Sequence, residues 1–315
     1  MPQKANNKDK LNEITNSGDN LFNSCEYDEA LKAYEELEHF CRLSGDQKKL
    51  VYSLERQAII HGKHERFENA VRLEQECAEI LKDINDWPEL QHCLKRQASV
   101  FDDLELHDQL LSVSQEREQI SRKIGDLKGV AESLQSQAYA LEFLEGFGSG
   151  MVKYLEGEQI YRELGDLQEL ARSFDKHISY LKTTHRDNDA LALLKEQEEI
   201  YMQLNDDMGV FKALGGQIIH YQSQDDHEKA FSLLREQETI ARTKQTDFLV
   251  EFLTHEAMQY RYYGSWKVYK EILHEALSIA QENNIQEMEE LALWFISRAE
   301  NEEAERGGKP PGRIR

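Results

Sequence analysis

The stretch Leu43-Ser44-Gly45-Asp46 decides the fold, because it returns as Ile84-Asn85-Asp86, Ile124-Gly125-Asp126, Leu164-Gly165-Asp166 and Leu204-Asn205-Asp206. The step is 40 residues each time, with no insertion or deletion between copies. A fixed period of this size is the signature of a repeat protein, in which each unit packs only on its neighbours. Gly or Asn can take the left-handed conformation that closes a helix, and the Asp that follows can accept hydrogen bonds from the free amides opening the next one. Each copy therefore stops one helix and starts another. Pro88 suits the first turn of the helix after Asp86, and Glu169, three residues beyond Asp166, completes the pattern of a capping box.

Between the marks the chain breaks again, at segments such as Cys25-Glu26-Tyr27-Asp28-Glu29-Ala30 and Arg66-Phe67-Glu68-Asn69-Ala70, so each unit reads as a helix pair. The pattern predicts first helices near 9–24, 48–63, 88–104, 128–145, 168–184, 208–223 and 247–263. Second helices follow near 28–43, 68–83, 108–123, 150–163, 188–203, 228–244 and 267–283, and a last helix, 286–304, stands alone. Two apolar columns are expected to form the core: Phe40, Ile80, Ile120, Ile160, Ile200 and Ile240 on the second helices, and Leu54, Leu94, Leu134, Phe174 and Leu214 on the first. One helical domain over 9–305 is expected, between an unstructured N-terminus, 1–8, and a disordered basic tail, 306–315.

Of the 315 residues, 39% are hydrophobic and 31% charged, and the net charge of -22 disfavours nucleic acid and anionic lipid as partners. No run approaches the ~20 apolar residues of a membrane span. No apolar leader opens the chain, which gives a cytoplasmic address as the expectation. Cys25, Cys41, Cys77 and Cys93 lack CxxC spacing and read as small core residues.

Small residues at Gly18, Ala58, Ala98 and Ala138, turn aromatics at Tyr27, Phe67, Phe147 and Trp266, and Ala30, Ala70, Ala190 and Ala230 at the starts of second helices resemble the tetratricopeptide repeat. The chain is similar to the long-period arrays of kinesin light chains, STAND signalling ATPases and caspase-like peptidases. This implies an all-α, right-handed α-solenoid of about seven helix pairs with a C-terminal capping helix. It also implies that first helices line a concave groove. The groove positions carried over include Tyr52, Lys63, Lys95, Tyr139, Phe143, Arg172, Lys182, Lys212, Arg261 and Tyr262. Gly146, Gly148 and Gly150 in the fourth unit mark the expected hinge, and Tyr260, Tyr262, Tyr263, Trp266 and Tyr269 form an aromatic cluster in the seventh.

Two polar columns depart from the family pattern. Gln57, Gln97, Gln137, His177, Gln217 and, after a one-residue deletion, Glu256 stand where Leu is usual, and read as pegs in the seam of the helix pair that fix register. Glu36, Glu76, Glu116, Glu156, Glu196, Glu236 and Glu275 form a ladder that could meet a basic partner, face solvent or pair with the Gln column. The pairs His64-Glu65, His227-Glu228 and His255-Glu256 lack the second His of a helical zinc site, and no phosphate loop or nucleophile elbow is present. The expected function is therefore non-catalytic and free of metal or cofactor, and the resemblance implies a scaffold, adaptor or regulatory subunit binding a partner protein in its groove, with an effector enzyme in trans among the clients. The alternative is a sensor whose solenoid changes compaction around a short peptide.

Overall fold

The computed structural model describes residues 2–263 and 266–305, with side chains from Lys10 onward except at 247 and 259–263. It holds fifteen helices and, among the described residues, no strand. They are α1 (Pro2–Asn23), α2 (Tyr27–Ser44), α3 (Gln47–Lys63), α4 (Phe67–Asp83), α5 (Trp87–Asp103), α6 (His107–Ile124), α7 (Leu127–Glu145) and α8 (Met151–Leu164). There follow α9 (Leu167–Thr183), α10 (Asp187–Gln203), α11 (Asp207–Ser223), α12 (His227–Ala241), α13 (Thr246–Tyr263), α14 (Trp266–Glu282) and α15 (Gln286–Glu305). The chain packs as two compact units, Met1–Tyr180 and Leu181–Arg315. Within the first, each of α1 to α8 packs on its neighbours in sequence; within the second, α10 to α15 do the same, and α15 also returns to α13.

The repeated mark acts as its chemistry requires. Gly45, Asn85, Gly125, Gly165 and Asn205 all have positive φ, between 55° and 76°. The following amide reaches back to close the helix end, as Asp126 N does to the Ser121 carbonyl at 2.9 Å. Asp46, Asp126, Asp166 and Asp206 each accept from the amide three residues on. Only half of the expected capping box forms at Asp166, because the Glu169 carboxylate is engaged by Arg172 at 3.1 Å and the Asp166 amide donates to Tyr161 O.

The turn inside each pair uses the same left-handed closure without its usual residues. Cys25, Glu65, Glu105, His185 and Asp225 all have φ between 55° and 63°, and Leu106 N, for example, donates to Phe101 O at 2.8 Å. A side chain in this conformation costs about 1 kcal/mol, which explains why the turns could be placed but not typed from sequence. Cys25 is exposed at such a turn, unlike the buried Cys41, Cys77 and Cys93, which corrects its reading as core. The helix α1 starts at Pro2, ahead of the expected start near residue 9 and over a segment read as unstructured; a proline at the first helical position forfeits no intrahelical bond. The tail 306–315 lies outside the described residues.

In the core, the first-helix column of Leu54, Leu94, Leu134, Phe174 and Leu214 is buried. The second-helix column is a rim: Ile160 and Ile200 are buried, whereas Phe40, Ile80, Ile120 and Ile240 are only half covered. Gly18 is required by its neighbour, since a Cβ there would stand 2.8 Å from the Tyr34 ring. Gly150 permits a closer approach still, because its Cβ would lie 2.2 Å from the Ala138 carbonyl oxygen.

The two polar columns have separate partners. Gln57 donates to Tyr34 O and to Glu38 Oε2 (3.4 and 2.7 Å), and Gln137 to Ser114 O and Glu118 Oε2 (3.2 and 2.7 Å). Gln217 repeats the contact on Glu198 at 2.5 Å, and the His177 ring stands 3.1 Å from Glu158. These pegs therefore join a first helix to the second helix of the preceding pair, not to its own partner as the sequence reading had it. Four members of the outer Glu ladder meet bases instead: Arg42 bridges Glu38 and Glu76, Arg122 bridges Glu118 and Glu156, Arg242 bridges Glu238 and Glu275, and Lys82 binds Glu116. Such exposed pairs add little stability each, but they engage the ladder within the chain.

Candidate functional site

In the first unit, a cleft of about 480 Å³ opens across α5, α7 and α9. The constant repeat step brings the same face of successive first helices to one side, and small residues hollow it. Ser99 takes the place that Tyr139 holds one unit on, and Ser136 stands between the register positions of Arg96 and Lys176. Tyr139, Tyr154 and Leu110 supply apolar wall; Lys95, Arg117, Arg172 and Lys176 supply positive charge; Asp102, Glu132 and Glu169 supply negative charge. The lining thus carries four positive groups against three negative ones, within a chain of net charge -22.

Pairing fixes most of these groups. Lys95 Nζ and Arg117 Nη2 both donate to one oxygen, Glu132 Oε2, at 2.8 and 2.5 Å. Burial pushes the Glu132 carboxyl up, but the hydrogen bonds from Lys95 and Arg117 outweigh it and hold the group below its ordinary value. Arg172 pairs with Glu169 at 3.1 Å, and Lys176 reaches Glu142 at 3.1 Å while lying 5.8 Å from the centre of the Tyr139 ring. Burial, and then the charge of Glu142 and a hydrogen bond to it, push the Tyr154 phenol up, so it stays a neutral donor. Beside the cleft, Tyr139 packs on Phe143 (4.9 Å between ring centres), and Phe143 stacks on His107 at 4.2 Å with 59% of its surface exposed. An aromatic shelf therefore adjoins a polar hollow.

Of the positions expected in a groove, Lys95, Tyr139 and Arg172 meet in this cleft and Phe143 borders it. Tyr52 belongs to a separate hollow with Lys48, Glu55 and Glu89, and its hydroxyl is spent on Asp19 at 2.5 Å. Lys63 lies 5.3 Å from the centre of the Tyr27 ring. Lys182 and Lys212 belong to the second unit, where Lys212 is exposed on α11. The side chains of Tyr260, Arg261, Tyr262 and Tyr263 lie outside the described residues, while Trp266 and Tyr269 are buried in a core with Leu273 and Ile296. In the glycine turn, Gly146 and Gly148 have φ of 103° and 88°, which favour glycine, and a Cβ on Gly148 would stand 2.9 Å from the Tyr180 ring. Arg117 was missed because it stands on a second helix in a core column, Leu37, Cys77, Arg117, Gly157, Gln197 and Gln237; its break from that column was the available signal.

No protein-family model matches the sequence, and no curated protein matches it. Solved structures do. A STAND protein from Pyrococcus horikoshii with a tetratricopeptide repeat sensor aligns with a TM-score of 0.59 at 14% identity, over 85% of this chain and 40% of that one. This chain thus spans well under half of that protein. The fold is that of tetratricopeptide-repeat proteins. The C-terminal part of a TPR repeat-containing protein from Cytophaga hutchinsonii aligns with a TM-score of 0.55 at 13% identity, over 84% of this chain and 94% of that one. The apo form of the quorum sensor NprR from B. thuringiensis gives 0.50 at 12% identity, over 96% and 83%. At these identities the shared property is the all-α repeat fold. Among the described residues, no helix is long and apolar enough to cross a membrane.

Proposed function

We propose that this chain is a non-catalytic, cytoplasmic interaction protein, an adaptor or regulatory subunit that holds a segment of a partner protein across α5, α7 and α9. The observation that carries this reading is the cleft itself. It joins an exposed aromatic shelf, Phe143 and Tyr139, to a hollow with paired charges at Lys95, Arg172 and Lys176. Aromatic anchors flanked by polar contacts are the features of a surface that grips an extended segment. The partner class includes an effector enzyme acting in trans, and adjustment of fit at Gly146, Gly148 and Gly150 belongs to the same proposal. A double variant, Tyr139→Ala with Arg172→Ala, tests it: proteins retained by the parent should be released by the variant while it keeps the helical circular-dichroism spectrum of the parent. Equal retention by both overturns the reading.

A peptide-responsive sensor is the second reading, favoured by the sensor region and the quorum sensor among the similar structures. It requires that a short peptide compact the chain in small-angle scattering. An adaptor requires no such change.

A further inference from the structure

The cleft treats its charges unequally. Arg172 and Lys176 each have a carboxylate, Glu169 and Glu142, whereas Lys95 and Arg117 converge on a single oxygen of Glu132. That trio carries one positive charge in excess. Arg117 is also only 3% exposed, and its Nε has no hydrogen-bond partner. One turn back on the same face of α6, the Ser114 hydroxyl is buried and equally unpaired. A buried guanidinium needs counter-charge and needs its N–H groups satisfied, so an Arg placed here with half of a shared carboxylate is incompletely compensated. The repeat supplies an internal control. At the position of Arg117 the other units carry Leu37, Cys77, Gly157, Gln197 and Gln237, and at the position of Ser114 they carry Tyr34, Glu74, Tyr154, Leu194 and Leu234. Folding thus does not call for an arginine in this column, and the third unit alone pairs it with a small neighbour.

We propose that Arg117 and Lys95 form an anion pocket that takes the carboxylate of an Asp or Glu side chain from the bound segment. A second carboxylate relieves the sharing at Glu132: it can pair with Lys95 at the mouth and with the Arg117 guanidinium that lines the cleft behind it, where charge-assisted hydrogen bonds are strongest. Aromatic neighbours at Tyr139 and Phe143 then cover the residues beside the acid. The segment is thereby specified as an acid flanked by an apolar or aromatic residue, a choice opposite to the basic partner that the chain's overall charge of -22 would attract. This rests on the reading that the cleft holds a partner segment.

The test is an array of synthetic peptides of about nine residues, each printed in a version with a central Glu and one with Gln, probed with the full chain. Glu versions should be retained about tenfold or more above their Gln twins, the scale of one charge-assisted hydrogen bond. The preference should disappear in Arg117→Met. Should that variant fail to fold, Lys95→Met decides, since Lys95 is exposed and its loss should shrink the preference and its salt dependence together. Equal retention of Glu and Gln versions overturns the anion pocket and leaves the binding cleft standing; retention of neither overturns both.

Discussion

Glu256 occupies the place that Gln57, Gln137 and Gln217 fill in earlier units, where the amide donates to a carboxylate on the preceding helix. An ionised carboxylate cannot donate; a neutral carboxylic acid can. Glu256 is 4% exposed, and it faces Glu238, Arg242 and Arg235 of α12 and Glu275 of α14. Burial first, and then the charges of Glu238 and Glu275 against Arg242 and Arg235, push its carboxyl up to about 8 from the ordinary 4.5. Between these two values the folded chain keeps the proton and the unfolded chain does not. The contribution to stability is therefore greatest below pH 4.5 and falls as pH rises, by up to about 1.4 kcal/mol per pH unit. By pH 8 the loss is on the order of 4 kcal/mol, a large share of a typical stability. Glu256→Gln supplies a donor at every pH, so urea unfolding of parent and variant from pH 4.5 to 9 should give curves that nearly coincide at the acid end and diverge steadily to pH 8. Parallel curves would refute the assignment of Glu256 as a neutral peg.

Gln137→Leu should destabilise by about 1–3 kcal/mol, because it removes the buried amide that donates to the Ser114 carbonyl and to Glu118. Although burial opposes it, the hydrogen bonds from Gln137 and Arg122 hold the Glu118 carboxyl below its ordinary value, so the variant should also move its titration upward by NMR. Gly150→Ala should cost about 1–3 kcal/mol in thermal unfolding, since the new methyl would meet the Ala138 carbonyl and only backbone movement could relieve it. Glu105→Gly should stabilise by up to about 1 kcal/mol, because its φ of 55° is unfavourable for a side chain and free for glycine; a lower melting temperature would show that its side chain matters more than its backbone.

The mark at Leu43 to Asp46 and its copies, with the breaks between and beyond them, determined the helix count, the helix ends to within a few residues except the start of α1, and the first-helix core column. Those features rest on local chemistry, left-handed caps and Asp side chains reaching three residues along the chain, which is present wherever the residues are. The partners of the polar columns could not be read in the same way. Gln57 and Glu38 are 19 residues apart, and Arg42 and Glu76 are 34 apart, so which of two Glu columns each group meets depends on how neighbouring helices rotate against one another. The cleft was legible in part: Lys95, Tyr139 and Arg172 are groove positions that the resemblance to the tetratricopeptide repeat implies on first helices, whereas Arg117 reaches the same space from a second helix. Packing alone decided that a core position would turn its charge toward the hollow, because a small Ser114 and a shared Glu132 are features of three helices at once.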